Sequence, residues 1–431
     1  MVMKNNIKIV VINQVSLNLG DAAILQGMMN VLEEKYGASC SIMVFDTAAE
    51  AAKRHRPWAE FASSIFNGPS DSSIKKVLKK VGYGHWFNRG RYFICRFSLT
   101  LLKLGFPQSL VRVVIGRSLF ERLKRYNNAD IIVSAGGTYL VENYNLEPRI
   151  FEFKLALAAE VPIVLFTQSL GPFTNPKNVL EFRKIFERVD LLLLRDQRSL
   201  ENTREIGCKA GNVHVVPDAA FALASGARAK FSSDGQTIRK VAISVRSLEF
   251  FNEEKKELYR HSISCLASEL IKTMSCEVVF ISTCQGIESY WTDDSREAKI
   301  IADMVSPDLR ESIKIDSRNR QPHQFIEDIS EFDLVIATRM HAAILALVAG
   351  VVTIGVAYEF KLVELFEGLE MENQYTDVDS LSGEKLISLV KTAIDDYEVV
   401  RKIIEKKVAH LRTAAFEVVN LLPDISESDH R

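Results

Sequence analysis

The sequence predicts an α/β protein built from two doubly wound, Rossmann-like domains that face each other across a cleft. Short apolar runs rich in Val, Ile and Leu alternate with stretches of helical spacing along most of the chain. Each run ends in small or polar residues, which is how an open parallel sheet forms a binding crevice. A chain of 431 residues also exceeds what one ordinary core can organise, so two domains are expected.

The first half of the chain contains one predicted sheet. A strand at 7–14 precedes a turn at Asn18 and Asp21 and a helix whose apolar residues recur three and four positions apart. Further strands are predicted at 41–45, 131–134, 163–167, 191–194 and 213–216. The tips of two of them carry Gly136, Gly137 and Gln168. A tip rich in glycine lets a ligand approach the backbone closely, although a tight turn explains the glycine pair equally well.

The second half repeats the pattern beyond a small, polar segment at 224–236, which is the predicted linker. A strand at 241–245 ends at Arg246, and strands at 276–282 and 312–315 follow. The stretch at 333–358 predicts strand, helix and strand, with Arg339 and His341 where the first strand gives way to the helix. The predicted boundaries are an N-terminal domain at 1–223 with an insertion at about 50–128, a C-terminal domain at 237–383, a helical region at 384–423 and a disordered tail at 424–431.

Residues 340–358 contain no charged side chain and could be mistaken for a membrane span. Gly350 and Gly355 divide this stretch, and its second half is β-branched. A buried helix followed by a buried parallel strand is therefore the better interpretation.

The sequence lacks the motifs that are typical of several enzyme classes. No GxGxxG or GxxxxGK[ST] sequence supports a nicotinamide enzyme or a P-loop nucleotidase, and no HExxH or GxSxG supports a metalloprotease or an esterase. The six cysteines are scattered without zinc spacing, so we expect reduced thiols, no metal and no cofactor. The N-terminus predicts a first strand in place of a signal peptide, and we expect a cytoplasmic protein.

Positive charge is concentrated in one segment, although the net charge is only −1. Residues 74–126 contain a single acid, Glu121. The basic residues of this segment are Lys75, Lys76, Lys79, Lys80, Arg89, Arg91, Arg96, Lys103, Arg112, Arg117, Arg122, Lys124 and Arg125. Aromatic and aliphatic residues lie among them, which favours peripheral association with the inner, anionic face of a membrane over nucleic-acid binding. A helical insertion with a solvated basic face is the alternative.

Arg246 and Arg339 each end an apolar, buried strand, where an unpaired guanidinium would be strongly disfavoured. Both therefore predict a carboxylate or phosphate partner. Asp21 and His341 have simpler alternatives, because an aspartate often caps a helix and a histidine at a helix start often bonds to backbone.

At these positions the sequence resembles the polysaccharide pyruvyl transferases, in order from about residue 7 to 367. The matching motifs are NLGDAAIL at Asn18, AGGTYLVE at Ala135, QSLGPF at Gln168, RDQRSLENTREIG at Arg195, PDAAF at Pro217, SVR at Ser244 and TRMHAAILALVAGV at Thr338. The chain departs from the family pattern with Thr138 where a third glycine is common and with Glu142 where an aspartate is common. The basic insertion and the C-terminal helical region match no motif.

The resemblance implies a GT-B-like fold and transfer of a pyruvyl group from phosphoenolpyruvate to two sugar hydroxyls, with a cyclic ketal and phosphate as products. The sugar would belong to a cell-surface polysaccharide or its lipid-linked precursor. By the same resemblance, His341 is the acid that protonates the enol, and Arg339, the backbone at Met340 and Arg246 bind phosphoenolpyruvate. The base is Glu142 or Asp21. Asn18, Gly136, Gly137 and Gln168 are the other expected contacts to ligand.

Two alternatives remain open. A GT-B glycosyltransferase would use a nucleotide sugar, with Arg339 and Lys361 on its diphosphate. A non-catalytic binding module of a polysaccharide assembly complex would keep the cleft without the chemistry.

Overall fold

The computed structural model describes residues 6–66, 84–209, 211–224 and 238–426. Two compact units divide the chain. Unit 1 contains the residues up to Ser16, Gly27–Ala219 and the residues from Ala414 onward. Unit 2 contains Leu17–Gln26 and Ala220–Thr413.

A parallel sheet forms the centre of unit 1. Its strands are β1 (Lys8–Gln14), β2 (Ser41–Asp46), β3 (Glu60–Ser63), β4 (Ile131–Ser134), β5 (Gly137–Leu140), β6 (Ile163–Leu170), β7 (Leu191–Leu194) and β8 (Val213–Val215). Within the described residues they lie in the order β3-β2-β1-β4-β6-β7-β8, with β5 paired to β6. The central strands are buried along almost their whole length. Such continuous apolar runs are typical of a sheet that is covered by helices on both faces.

The helices of this half are α1 (Leu19–Tyr36), α2 (Ala49–His55), α3 (Gly84–Lys103), α4 (Gln108–Ile115), α5 (Arg117–Asn127), α6 (Glu147–Ala159), α7 (Pro176–Phe186) and α8 (Gln197–Glu205). Asn175 and Asp196 cap α7 and α8 by accepting hydrogen bonds from backbone N–H groups of the first turn. The predicted insertion supplies α2 to α5 and also β3, which extends the sheet at its edge.

Unit 2 is built on a second parallel sheet. Its strands are β9 (Lys240–Ser244), β10 (Glu277–Ile281), β13 (Ile313–Asp316), β14 (Leu334–Ala337), β15 (Val352–Ala357) and β16 (Tyr375–Asp377), with a separate antiparallel hairpin of β11 (Gln285–Ile287) and β12 (Tyr290–Asp293). The order within the described residues is β13-β10-β9-β14-β15-β16. Its helices are α9 (Glu253–Met274), α10 (Asp294–Met304), α11 (Pro322–Ile329), α12 (Met340–Val348), α13 (Phe360–Gly368), α14 (Gly383–Asp395) and α15 (Tyr397–Glu417). The predicted α/β class is therefore confirmed.

The uncharged stretch from Met340 forms a buried helix and then a buried parallel strand, as predicted. Every residue of α12 from Ala342 to Val348 is buried, and so is all of β15. Over the described part of the chain, no helix combines the length and the apolar character needed to cross a membrane.

The two units differ from the predicted domains at both ends of the chain. Residues Leu17–Gln26 group with unit 2, and the residues from Ala414 group with unit 1. The Tyr36 hydroxyl donates to the Pro423 carbonyl at 2.8 Å, and Ile425 and Ser426 are buried. The predicted tail therefore starts with packed residues, and 427–431 lie outside the described residues, as does the predicted linker after Ala224.

Part of the positive charge in the insertion has a structural role. Arg91 and Arg122 are buried and donate to the carbonyls of Phe66 at 3.0 Å and Ser64 at 2.9 Å. Burial lowers the pKa of both groups. These two cations hold a loop in place and add nothing to the surface charge. The four lysines at 75, 76, 79 and 80 and the Arg89 side chain lie outside the described residues.

Candidate functional site

Arg246 and Arg339 follow two neighbouring strands at the same level of the sheet of unit 2. Strands β9 and β14 pair with Ser244 opposite Ala337, and each arginine lies two residues beyond. The carboxyl ends of parallel strands meet at one edge, so both side chains begin there. Burial lowers the pKa of Arg246, and repulsion from the charge of Arg339 lowers it further. The two guanidinium groups are therefore close enough to interact.

Asp294 is the carboxylate partner of Arg339. Its Oδ1 accepts hydrogen bonds from Nε, at 3.1 Å, and from Nη2. Asp294 begins α10 and is almost completely buried, at 1% exposure. Its other oxygen accepts from the backbone N–H groups of Thr283 at 3.2 Å and Cys284 at 3.1 Å. Burial alone would lower the pKa of Arg339, but Asp294 outweighs it and raises that pKa above its usual range. Arg339 therefore stays charged.

Arg246 is held by aromatic rings and is more accessible. Its guanidinium lies 4.6 Å from the ring centre of Tyr358 and 5.3 Å from that of Phe250. Nη1 also donates to the Tyr358 hydroxyl and lies 3.7 Å from a Glu359 oxygen. Stacking leaves donor groups at the rim of the guanidinium directed away from the rings. This geometry suits the capture of an anion.

His341 lies in the first turn of α12 and packs against the start of α1. A β carbon added to Gly20 would lie only 2.5 Å from His341 Nδ1. Gly20 therefore has to lack a side chain for the imidazole to occupy this position. The first residues of α1 are fixed on unit 2, since the Leu19 N–H donates to the Thr283 carbonyl at 3.0 Å. This contact explains the glycine of the NLGD motif.

Asn18 and Asp21 form the cap of α1 next to this histidine. The Asp21 N–H donates to Asn18 Oδ1 at 2.8 Å, and the Asn18 amide donates to the Asp21 carboxylate. Burial raises the pKa of the Cys284 thiol to about 11, and the negative charge of Asp21 contributes to that rise. Asp21 thus lies within electrostatic range of Cys284.

The β11–β12 hairpin supplies further residues that the sequence did not single out. The Tyr290 hydroxyl lies 3.6 Å from Cys284 Sγ. Burial raises the pKa of Tyr290, with Cys284 and then Asp21 adding to the rise and Arg339 opposing it. The only sequence signal for Asp294 is its place at the start of a predicted helix, which indicates a cap and not an arginine partner.

Unit 1 brings together three of the other predicted residues. Gln168 pairs with Gly137 across β5 and β6, and its Nε2 donates to the Gly137 carbonyl at 2.6 Å. Gly137 has a φ of 134°, a conformation that favours glycine. Gly136 precedes it directly.

Two neighbours of these residues are strained. Asn13, in β1, has a φ of 64°, and Thr167, in β6, has a φ of 43°, which is rare for a β-branched residue. Both are buried. Among the described residues, Thr167 Oγ1 and Gln168 Oε1 have no hydrogen-bond partner. Strained and unpaired polar groups of this kind cluster at ligand sites.

The Glu142 carboxylate is hydrogen-bonded to other residues of unit 1. It accepts hydrogen bonds from the backbone and hydroxyl of Thr174, at 2.9 and 2.6 Å, from the Asn175 N–H at 3.0 Å and from the Asn178 amide at 2.9 Å. Burial would raise its pKa, but these bonds outweigh that effect and lower the pKa to about 2. A carboxylate with such a pKa is a weak base.

Arg195 and Asp218, which lie in two of the motifs quoted above, form a buried ion pair at 2.6 Å. Arg195 also donates to Ser169 Oγ at 2.7 Å and to the Thr138 hydroxyl. These bonds connect Arg195, which follows β7, to Thr138 in β5 and Ser169 in β6, next to Gly137 and Gln168. In the described residues, no group of three His, Cys, Asp or Glu side chains is arranged to hold a metal ion.

Comparison with known proteins gives fold and family. Sucrose-phosphate synthase from Thermosynechococcus elongatus matches with a TM-score of 0.55 at 13% identity over 96% of each chain. UDP-GlcNAc 2-epimerase from Neisseria meningitidis, bound to UDP-GlcNAc, matches with a TM-score of 0.55 at 10% identity over 96% of this chain and 98% of that one. At such identities the likeness shows the fold alone, which is GT-B-like with two Rossmann-like domains.

The sequence comparisons are more specific. The amylovoran biosynthesis protein AmsJ of Erwinia amylovora is 26% identical over 322 residues, which are 72% of this chain and 75% of AmsJ. The family model for polysaccharide pyruvyl transferases matches residues 18–359. Both results confirm the resemblance seen in the motifs and support a role in polysaccharide biosynthesis. The chain therefore belongs to the polysaccharide pyruvyl transferase family, a family of transferases.

Proposed function

We propose that this protein transfers a pyruvyl group from phosphoenolpyruvate to two hydroxyls of one sugar, with a cyclic ketal and inorganic phosphate as products. The observation that carries the proposal is the pair of interacting guanidinium groups, Arg246 and Arg339, at adjacent strand ends beside the start of α12. Phosphoenolpyruvate presents a carboxylate and a phosphate, and this arrangement offers a matching pair of cations and a helix N-terminus.

The donor is held by groups with different surroundings. Arg339 is half-buried against Asp294, so its orientation is fixed and part of its charge is neutralised. Arg246 is stacked on Tyr358 and is more exposed. The backbone N–H groups at Met340 and His341 belong to the first turn of α12, where the positive end of the helix dipole favours an anion, and we propose that they bind the donor between the arginines.

His341 supplies the proton that starts the reaction. Protonation of the methylene carbon makes a cation at the adjacent carbon, and the first hydroxyl attacks it. Loss of phosphate regenerates a cation, which the second hydroxyl attacks to close the ketal. Each attacking hydroxyl loses one proton. One of these protons replaces the proton that His341 gave to the methylene carbon, and the other leaves on the phosphate.

Asp21 is the better of the two proposed bases. Asp21 adjoins Gly20, which contacts His341, so the acid and base lie on neighbouring elements of unit 2. Glu142 has its oxygens bonded to Thr174, Asn175 and Asn178 and a pKa of about 2. Such a group takes up protons poorly at neutral pH.

The acceptor sugar is proposed to contact Gly136, Gly137 and Gln168. Thr167 Oγ1 and Gln168 Oε1 can pair with sugar hydroxyls. We further propose that the sugar belongs to a cell-surface polysaccharide or to its lipid-linked precursor, and that the protein acts in the cytoplasm at the inner face of the membrane. The free thiols at all six cysteines are in keeping with a reducing compartment.

Ligand binding and product analysis test this proposal. Phosphoenolpyruvate should raise the melting temperature of the purified protein, and UDP or UDP-sugars should not. With a surface-glycan fraction as acceptor, phosphate should be released and the glycan should gain the mass of a pyruvate ketal. Stabilisation by UDP alone would instead favour the nucleotide-sugar glycosyltransferase. The Neisseria meningitidis epimerase, which shares this fold and is bound to UDP-GlcNAc, is the observation that keeps this alternative open. For that alternative Lys361 would have to release Glu359, to which it is bonded at 3.0 Å.

A further inference from the structure

Helices α3 and α4 and the loop between them carry an apolar face that is open to solvent. We define this apolar face as Phe93, Phe97, Leu104, Phe106, Val113 and Val114. The fractional exposure is 69% for Phe93, 76% for Leu104, 81% for Val113 and 82% for Val114. The first three residues follow helical spacing, so they form one stripe. The rings of Phe93 and Phe97 stack on each other with centroids 6.4 Å apart.

The opposite side of the same helices anchors them to unit 1. Cys95, Leu99 and Leu102 of α3 and Val111 of α4 are buried in its core. The apolar face is therefore a second stripe that the fold does not use. Scattered exposed apolar residues are ordinary, but a set of large exposed apolar side chains on two helices that pack together indicates an interaction surface.

Cations surround the apolar face. Arg96, Arg112, Arg117 and Arg125 are exposed, whereas Arg91 and Arg122 are buried. Lys103 pairs with Glu160 at 2.9 Å. Between residues 91 and 125 the sole acid is Glu121. The surface thus combines aromatic and aliphatic side chains with a net positive rim.

The combination of exposed apolar residues and cations distinguishes between possible binding partners of this surface. A nucleic acid would satisfy the cations but would leave the aliphatic side chains without a partner. A second copy of the chain would cover the apolar residues but would bring two positive rims together. An anionic bilayer satisfies both features, because acyl chains accept the apolar residues and headgroups accept the arginines.

We propose that the apolar face inserts into an anionic lipid bilayer and holds the protein at the membrane surface. The inference rests on the membrane location in the proposed function and deepens it by naming the surface and its mode of binding. Insertion of apolar side chains, with the arginines at headgroup level, is the main contribution. Membrane binding by insertion differs from attraction by basic residues alone, because insertion persists when salt screens the charges.

Flotation of the full chain with vesicles tests the proposal. Vesicles of phosphatidylcholine with phosphatidylglycerol should carry the protein upward, and pure phosphatidylcholine vesicles should carry less. The double substitution Val113→Asp and Val114→Asp should reduce the floated fraction at least tenfold. Val399→Asp is the matched control, since Val399 is a 60% exposed valine on α15, and it should float like the parent.

Two results would overturn the proposal. One is equal flotation of the parent and the double variant. The other is no flotation of the parent together with a dimer that the double variant converts to a monomer, which would make the face a contact between copies. Circular dichroism checks that the variants fold. Stabilisation by phosphoenolpyruvate without vesicles tests the transferase proposal separately, so a failure of either is recognised by itself.

Discussion

Gly20 lies against the imidazole of His341, so closely that a β carbon would come within 2.5 Å of Nδ1. The acid proposed for the reaction is thus positioned by a residue more than three hundred positions earlier in the chain. Both residues belong to unit 2.

Gly20→Ala should displace the imidazole and lower kcat about a hundredfold, because a misplacement of about 1 Å has an effect of that size. The fold should survive, since alanine is a better helix former than glycine. Phosphate release measures the effect. Gly90→Ala is the control, because an added β carbon at that helical glycine meets nothing within 4 Å, and it should leave kcat unchanged. If the Gly20→Ala protein keeps the parental kcat, the proposed role of His341 as the acid is contradicted.

Asp294→Asn should lower the free energy of unfolding of the protein and weaken its binding of phosphoenolpyruvate. Loss of the buried carboxylate leaves the Arg339 charge without its partner, a change that destabilises by about 3 kcal/mol. Urea unfolding measures the free energy of unfolding, and the dependence of rate on phosphoenolpyruvate measures KM, which should rise. Asp303→Asn on the same helix, at an exposed position, should alter neither quantity. An unchanged KM in the Asp294 variant would contradict a donor-binding role for Arg339.

Arg246→Lys should raise KM for phosphoenolpyruvate about tenfold, which corresponds to 1.4 kcal/mol. Lysine keeps the charge but lacks the planar fork that stacks on Tyr358 and binds an anion through two donors. Arg401→Lys is the control, since Arg401 makes a similar two-donor contact to Glu398 on α15. Equal KM values for the two variants would show that Arg246 does not touch the donor.

Asp21→Asn and Glu142→Gln separate the two candidate bases. If Asp21 is the base, its variant should lose kcat by a factor of about 100 to 10,000, the usual range for general base catalysis. The Glu142 variant should lose less than about tenfold, because its carboxylate is already bonded. The reverse order of effects would assign the base to Glu142.

The same Glu142→Gln variant should change the response of stability to acid. The pKa of Glu142 is about 2 in the folded chain, against 4.5 for an ordinary glutamate. A lowered folded pKa means that the carboxylate stabilises the fold above about pH 4.5 and loses this effect as the pH falls toward 2. The melting temperatures of parent and variant should therefore differ most near pH 6, and the difference should shrink below about pH 4.5 and vanish as the pH falls through 2. Glu121→Gln, on an exposed acid of α5, should show a constant difference.

The sequence was sufficient for the fold because strand and helix periodicity is local. It also placed Arg246 and Arg339 at the ends of buried strands, because a charged residue that follows an apolar run marks where the run ends. That these two strands are neighbours is seen only in the structure. Asp294 was missed because its only local signal is that of a helix cap. The arrangement of hairpin and helix that brings it to Arg339 depends on long-range packing.

Two further features could not be read from the sequence for the same reason. The bonds that lower the pKa of Glu142 come from Thr174, Asn175 and Asn178, at and just before the start of α7 and more than thirty residues away. The exposure of Val113 and Val114 depends on which face of α4 packs inward. An apolar pattern predicts that a helix has a buried side, but here both sides are apolar.

The assignment of Leu17–Gln26 to unit 2 has a practical consequence for engineering this family. A chimera that exchanges the N-terminal half of one member for that of another also exchanges Asn18, Gly20 and Asp21, and so replaces part of the proposed catalytic apparatus along with the proposed acceptor contacts. Crossover points after Ser16, after Gln26, after Ala219 and after Thr413 would follow the physical units. A hybrid joined at those four positions keeps each imidazole with the glycine that evolved beside it.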